Sequence, residues 1–337
     1  MKTALQPLFR SMGLRVVREA RLQCQEDEYR RVQERLKECE ESIERLREYE
    51  RRWEEQQELD AAARRHTQLQ PLELPLPPEG FFLKVKIDYP DCVKPRPATY
   101  AYPAIEELFL RHVAAFEKNM EILRPYLYHE HLDRLPSAQV NEHDPYWNNG
   151  MFDYDDARAV YAMTAHLKPR TIIEVGSGNS TKFFRKAIND FKLDTKLIAI
   201  DPMPRAGIEG VADEIIYQSV VDVDIDLFRQ LGDDDILFWD GSHIVFNGTD
   251  TTHFYLNILP VIERDVFVHV HDICLPNEYN HGYSAHYYNE QYMLAVLLLN
   301  SSRWIPVLAH HFLKPRQLVR YPGAASLWFG TRHLAAS

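Results

Sequence analysis

Thr171-Ile172-Ile173-Glu174-Val175-Gly176-Ser177-Gly178-Asn179-Ser180-Thr181 is the stretch on which the fold turns. A β-branched apolar run ends in an acidic residue, two glycines make a tight turn, and a helix-forming pattern begins. Such a strand–turn–helix unit brings backbone N–H groups close to a ligand at a helix N-terminus. The turn carries no Gly-Lys-Ser/Thr, which speaks against a phosphate-cradling loop. The spacing suits a nucleoside whose charged part is an amino acid.

Downstream of this unit, strand and helix patterns alternate. Strands are expected at 171–175, 196–200, 214–217, 235–239 and 265–270, and helices at 180–190, 223–231, 250–262 and 286–299. Alternation of this kind implies an α/β fold, a Rossmann-like, mostly parallel sheet with helices on both faces. Segments 304–308 and 326–330 read as two last strands, a hairpin at the sheet edge. Upstream, helices are expected at 104–124 and 155–167. Pro71, Pro75, Pro77, Pro78, Pro90, Pro95, Pro97 and Pro103 rule out a long helix between them and the N-terminal part. One short strand fits at 81–87.

The N-terminal part reads differently again. No proline stands between Pro7 and Pro71, and Gly13 is the only glycine there. Tyr29, Val32, Leu36, Cys39, Ile43 and Leu46 recur at alternating spacings of three and four, the seam of a long coiled-coil helix. A homo-oligomer through this coiled coil is expected. The organisation is then a helical coiled coil over 1–66, a Pro-rich linker and helical cap region over 67–144, and a ligand-binding domain over 145–337.

The chain has 337 residues, 45% of them apolar, and a formal net charge of −11. That charge argues against a general nucleic-acid binder, which needs a basic face. No apolar run reaches the about 18 residues of a transmembrane helix, and the N-terminus lacks the apolar core of a signal peptide. Cys24, Cys39, Cys92 and Cys274 show neither zinc spacing nor a disulfide framework. A cytoplasmic setting is the expectation.

Ligands of open α/β sheets bind beyond the carboxyl ends of the strands, and the chemistry-bearing residues fall there. The first strand end offers Glu174, Gly176, Ser177, Gly178, Asn179 and Ser180. The second offers Asp201, a carboxylate able to accept both hydroxyls of a ribose. The third offers Gln218-Ser219-Val220, with Ser219 suited to an adenine edge. The fourth offers Asp240-Gly241-Ser242-His243, and the fifth His269-Val270-His271-Asp272. A Gly-x-Gly is often only a turn, and an Asp after a strand only a helix cap. Their occurrence in order at five successive strand ends points to a ligand site.

These residues resemble the class I S-adenosylmethionine-dependent methyltransferases. Glu174–Gly178 is similar to the first motif of that family and Asp201 to its acidic ribose ligand, over about residues 145–332. An NAD-binding Rossmann protein would want a third glycine at position 181, where this chain has Thr181. A narrower resemblance, carried by Asp240-Gly241-Ser242-His243 and His271-Asp272, is to metal-dependent sugar O-methyltransferases of the macrolide-tailoring type. It implies S-adenosylmethionine bound by the first three strand ends and by Asp240. It further implies a divalent metal, Mg²⁺ or Mn²⁺, on Asp240, His271 and Asp272, and His243 as general base. His271 stands where that family has an acid, and an imidazole ligand shifts preference from Mg²⁺ toward Mn²⁺, Fe²⁺ or Zn²⁺.

Simpler roles stay open beside these. His243 could cap the next helix, and His271 could only orient Asp272. His269 is expected on the opposite side of its strand. Trp147, Asn148, Asn149, Tyr279 and Tyr283 are candidate acceptor-binding residues, in segments whose aromatic and amide groups suit a sugar-like or polyol acceptor; ordinary loop packing is the alternative. The implied function is O-methylation of a saccharide or glycoconjugate hydroxyl. The alternatives are a methyltransferase for a phenol, lipid head group or amine, or an oligomeric scaffold with a non-catalytic cofactor-binding domain.

Overall fold

Short β-branched and aromatic runs bounded by turns fold here into one seven-stranded sheet. The computed structural model describes residues 96–152, 154–314 and 324–335. The expected coiled coil, the strand at 81–87 and the proline-rich stretch up to residue 95 lie outside the described residues. The strands are β1 (Thr171–Val175), β2 (Lys196–Ile200), β3 (Glu214–Ile216), β4 (Ile236–Trp239), β5 (Phe267–Val270), β6 (Ile305–Ala309) and β7 (Leu327–Gly330). Their order across the sheet is β3-β2-β1-β4-β5-β7-β6. β1 to β5 are parallel, whereas β7 runs antiparallel to both β5 and β6. The expected edge hairpin is therefore present as an antiparallel pair, with its second strand inserted next to β5. β4 and β5 are buried along their whole length, which is why they read as near-continuous apolar runs.

Helices α1 (Pro103–Leu127), α2 (Tyr154–Leu167), α3 (Asn179–Phe191) and α4 (Glu290–Asn300) cover the sheet. α1 begins on Pro103, where a missing N–H leaves no intrahelical bond unmade. Its buried stripe of Ile105, Leu108, Phe109, Phe116, Leu123 and Leu127 packs on α2 and β6. Below β4, Trp239 stacks on Phe254 with centroids 4.2 Å apart, both fully buried; burying a large apolar side chain contributes about 1.5–3 kcal/mol. No described helix is long and apolar enough to cross a membrane.

Three expected helices are shorter or interrupted. The one at 223–231 is a 3₁₀ turn, Val220–Asp222, and a single helical turn, Asp226–Arg229. The one at 250–262 consists of Asp250–His253, a π turn Phe254–Ile258 and Leu259–Val261. Pro260 has no N–H to give to the carbonyl four residues back, so a regular α-helix cannot run through it. The one at 286–299 starts only at Glu290, because Tyr287 sits at φ 61° and separates it from a short turn, His281–Ala285. Residues just before α1 join the strand-end loops: Ala101 bridges Asn277, and the Glu278 N–H donates to the Tyr100 carbonyl at 2.8 Å.

Candidate active site

The turn after β1 is held from inside. Glu174 is fully buried and accepts hydrogen bonds from the Ser180 and Thr181 hydroxyls, each at 2.6 Å. Burial pushes its carboxyl up to about 8, against the pull of both hydroxyls. Glu174 and Ser180 thus bond to each other rather than standing open to a ligand. Thr181 supplies the third member, and its hydroxyl also accepts the Gly178 N–H at 3.0 Å. Gly176 sits at φ 81°, and a Cβ there would lie 1.9 Å from the Asp240 carbonyl oxygen. Only glycine lets β1 turn so close to the end of β4. At Gly178, by contrast, a Cβ would meet nothing within 4 Å.

Asp201, beyond β2, is pinned beside this turn. Its Oδ2 accepts the Ser177 N–H at 2.9 Å and its Oδ1 the Met203 N–H at 2.8 Å. Each carboxylate oxygen keeps capacity for a further donor, as a ribose diol would require. Asn179 opens α3 with Gly178 as its cap. Ser219 precedes the 3₁₀ turn after β3, its carbonyl accepting the Asp222 N–H at 2.9 Å.

Across the cleft, β4 and β5 deliver two carboxylates. One donor atom each from Asp240, His243 and Asp272 lies within 4.8 Å of the others. His243 and Asp272 both adopt left-handed backbone, φ 60° and 54°, conformations that persist in side-chain-bearing residues mainly where surrounding structure enforces them. His243 Nε2 is 3.0 Å from Asp240 Oδ1 and 3.7 Å from Asp272 Oδ2, while Nδ1 is 2.8 Å from Glu290 Oε2. His271 Nδ1 is 3.6 Å from Asp240 Oδ1 and 3.4 Å from Asp272 Oδ1, and its Nε2 is 3.7 Å from Asp156 Oδ2.

Burial alone would lower both imidazoles. The surrounding carboxylates reverse this, holding His243 well above its ordinary value and pushing His271 up to about 10. Asp240 shows the converse: burial works to raise it, but the charge of His271 and the hydrogen bond and charge of His243 hold it far below the usual carboxylate range. Asp156 is held low in the same way, mainly by His310, whose Nδ1 is 2.5 Å away. The capping role open to His243 falls to its backbone, because its carbonyl accepts the Asn289 and Glu290 N–H groups at 3.0 and 3.2 Å. The ring is left to the carboxylates.

His269, expected on the far side of β5, stands on the same face as His271, with ring centroids 5.9 Å apart. Residues two apart share a strand face. His269 is fully buried, stacks on Phe238 at 4.4 Å, and burial pushes its pKa well down.

The two candidate acceptor segments separate. Tyr283 reaches the site: burial and then the Asp272 charge raise its phenol, and its ring stacks on Tyr288 at 5.6 Å, which in turn tilts over His243 at 4.5 Å. Tyr279 is buried behind it and accepts the Gln291 N–H at 3.3 Å. Trp147 packs inside, stacked on Tyr154 at 4.6 Å with Arg158 over its ring. Asn148 accepts from the Tyr154 hydroxyl at 3.1 Å. Asn149 closes its own loop, donating to the Tyr146 and Phe152 carbonyls and accepting from the Met151 and Phe152 N–H groups. From that segment it is Phe152 that comes nearest, 5.2 Å from the His271 ring. Sequence reasoning missed Asp156, His310 and Ser326, whose hydroxyl donates to Asp156, and read Tyr288 and Glu290 only as lid or core. Asp156 reads as one more acid in a helix's first turn and Glu290 as a helix opener, so only their shared burial betrays them.

Residues 173–273 match the model of a methyltransferase domain family. An uncharacterized protein of Archaeoglobus fulgidus is 35% identical over 124 residues, 34% of this chain and 54% of the relative. The chain thus spans about half the length of that curated relative. Among solved structures it is similar to the O-methyltransferase TomG of Streptomyces achromogenes in complex with S-adenosylmethionine, at 14% identity over 65% of this chain and 90% of that one, TM-score 0.36. It is also similar to the S-adenosylhomocysteine-bound methyltransferase PaMTH1 of Podospora anserina, at 15% identity over 65% and 88%, TM-score 0.38. An O-methyltransferase of Bacillus cereus is 12% identical over 72% and 95%, TM-score 0.33. The family match runs from β1 to just past Asp272. The matched residues 173–273 lie within the mostly parallel seven-stranded sheet, and the match is to a methyltransferase domain.

Proposed function

We propose that the protein is an S-adenosylmethionine-dependent O-methyltransferase that modifies a hydroxyl of a saccharide or glycoconjugate with the help of a divalent cation. The observation that carries this reading is the convergence of Asp240, His243 and Asp272 directly against the Gly176 turn. Methyl transfer from a sulfonium is an in-line displacement. It needs a donor and an acceptor held in line, and a group that removes the proton of a poorly acidic hydroxyl. S-adenosylmethionine would lie along Gly176–Gly178, with Asp201 accepting its ribose hydroxyls. His243, in the neutral form that the neighbouring carboxylates disfavour, would take the acceptor's proton through Nε2.

Asp240 and Asp272 would hold the cation, with His243 Nε2 and His271 Nδ1 on either side of them. Two carboxylates flanked by imidazole nitrogens fit Mn²⁺ as well as Mg²⁺. A bound cation would lower the pKa of the hydroxyl. The Tyr283 and Tyr288 rings offer flat apolar faces beside the Asp272 carboxylate, a combination suited to a sugar ring. The heptad pattern upstream supports self-association of the whole chain, which sedimentation of the full-length protein would read.

The test is a screen with methyl-labelled S-adenosylmethionine against saccharides, phenols, lipid head groups and amines, run with chelator and with Mn²⁺ add-back. Label in a saccharide, lost with chelator and restored by Mn²⁺, is the expected result. Label confined to another acceptor class sinks the sugar assignment, and turnover indifferent to chelator sinks the cation.

A further inference from the structure

Residues 96–102, just ahead of α1, run as a strap along the loop that leaves β5. The Tyr102 N–H donates to the Pro276 carbonyl at 2.9 Å, and the Glu278 N–H donates to the Tyr100 carbonyl at 2.8 Å. Ala101 and Asn277 bridge as antiparallel neighbours between them. The Asn277 side chain adds a donor to the Thr99 carbonyl at 3.3 Å. Side chains then meet at one carboxylate. Tyr102 donates its hydroxyl to Glu278 Oε2 at 2.5 Å. Tyr292 of α4 donates to Oε1, which also accepts the Tyr279 N–H at 2.8 Å. Among the described residues, Tyr102 is the one hydrogen-bond donor on Oε2. Burial, and then the bond to Glu278, push the Tyr102 phenol up to about 12, so it stays a donor at neutral pH. Tyr292 is raised by the same two causes.

Glu278 stands next to the residues that face the site. Ring to ring, Tyr279 lies 5.4 Å from Tyr283, Tyr283 5.6 Å from Tyr288, and Tyr288 4.5 Å from His243. Inside this loop, the N–H groups of Ser284, His286, Tyr287 and Tyr288 all bond to carbonyls of the loop itself. Its placement is therefore set at its two ends. One end is Asn289, whose N–H donates to the His243 carbonyl at 3.0 Å. The other is Glu278, fastened by the strap on one carboxylate oxygen and by α4 on the other. Hydrogen bonds to an ionised acceptor are the strong ones, and here they join segments far apart in sequence.

We propose that the strap is a positioning element: Tyr102, acting through Glu278, holds the tyrosine loop 279–288 against the site. The proposal rests on the reading in which Tyr283 and Tyr288 face the acceptor. It gives neither Tyr102 nor Glu278 a contact with substrate.

The test is hydrogen–deuterium exchange of the full-length protein at neutral pH, read by mass spectrometry on peptides from 276–289. Tyr102→Phe removes one hydroxyl and should speed exchange there about tenfold, the ratio that about 1.4 kcal/mol gives. Glu278→Ala should do at least as much. Tyr102→Phe added to Glu278→Ala should change nothing further, because the two act through one bond. Glu278→Gln keeps an oxygen that can accept, and should fall between wild type and Glu278→Ala. Peptides of β1–β3 should exchange as in wild type, and S-adenosylhomocysteine affinity by calorimetry should stay unchanged in every variant. Unchanged loop exchange in Tyr102→Phe overturns the proposal. So does faster exchange throughout the sheet, the mark of a general loss of stability, and so do additive effects in the double variant. Should Glu278→Ala not fold, Tyr102→Phe decides alone. With a saccharide labelled in the screen above, Tyr102→Phe should raise KM and leave kcat, the pattern of lost uniform binding. A fall in kcat at unchanged KM removes the strap from the acceptor side. Absence of S-adenosylhomocysteine binding in wild type breaks the proposed function, while the exchange still decides the strap.

Discussion

Between Glu174 and Asp201 the proposed donor side of the site is made mostly of backbone: a glycine turn, the Ser177 N–H and one carboxylate pinned by two amides. The proposed acceptor side is made of side-chain charge. Asp240 and Asp272 stand in front, His243 and His271 behind them, and the buried Glu290 and Asp156 behind those. A backbone site needs few residues close in sequence. A layered charge site needs partners from distant segments, because each buried charge requires an opposite one. The first kind accommodates a cofactor by shape. The second sets protonation and orientation, which is what an acceptor hydroxyl requires.

The sharpest way to separate the two sides is His243→Ala. Turnover with the acceptor found by the labelled screen should fall about 10²–10⁴-fold, the usual worth of a general base. S-adenosylhomocysteine affinity by calorimetry should stay unchanged; a joint loss would mean the sides are one unit. Asp201→Ala should do the reverse. It removes the proposed ribose contacts, each about 1.5–3 kcal/mol for a charged partner, so cofactor affinity should fall at least tenfold. Unchanged affinity would end the cofactor assignment.

Gly176→Ala should break the separation itself, since the new methyl group would meet the Asp240 carbonyl. The strained backbone alone costs about 1–3 kcal/mol, so a lower Tm and weakened function on both sides are expected. A wild-type Tm would refute the close approach. The effect most confined to one pH window concerns Glu174. Its folded-state pKa is about 8 against an ordinary 4.5, so between these values the folded protein keeps a proton that the unfolded chain has lost. Stability therefore falls as pH rises through that window. Glu174→Gln should flatten the decline in Tm between about pH 5 and about pH 8, read by scanning calorimetry; an unchanged decline would place its cause elsewhere.

The same contrast governs what could be read in advance. β1 and β2 carry their expected limits residue for residue, because parallel central strands announce themselves as apolar runs between turns. Gly176, Asp201, Asp240, His243 and Asp272 lie just beyond the strands that a parallel sheet aligns, so their meeting was legible. Glu290 and Asp156 were not, since nothing local distinguishes an acid that pairs inward from one that caps a helix. Helix interruptions at Tyr287 and Pro260 were hidden for a related reason. Apolar periodicity continues through them, while a positive φ or a missing N–H decides the backbone. Asn149 reads as a ligand-binding amide, yet both of its amide hydrogens meet its own loop's carbonyls.

The contact between Gly176 and the Asp240 carbonyl also bears on how such an enzyme could diversify. On the proposed reading, donor and acceptor are separated here by peptide alone, with no room for a side chain at Gly176. On that reading, a change of acceptor would be written beyond it, in the segment from Tyr279 to Tyr292, with the turn kept intact. Lineages that share this turn would then share a methyl source and differ in what they decorate.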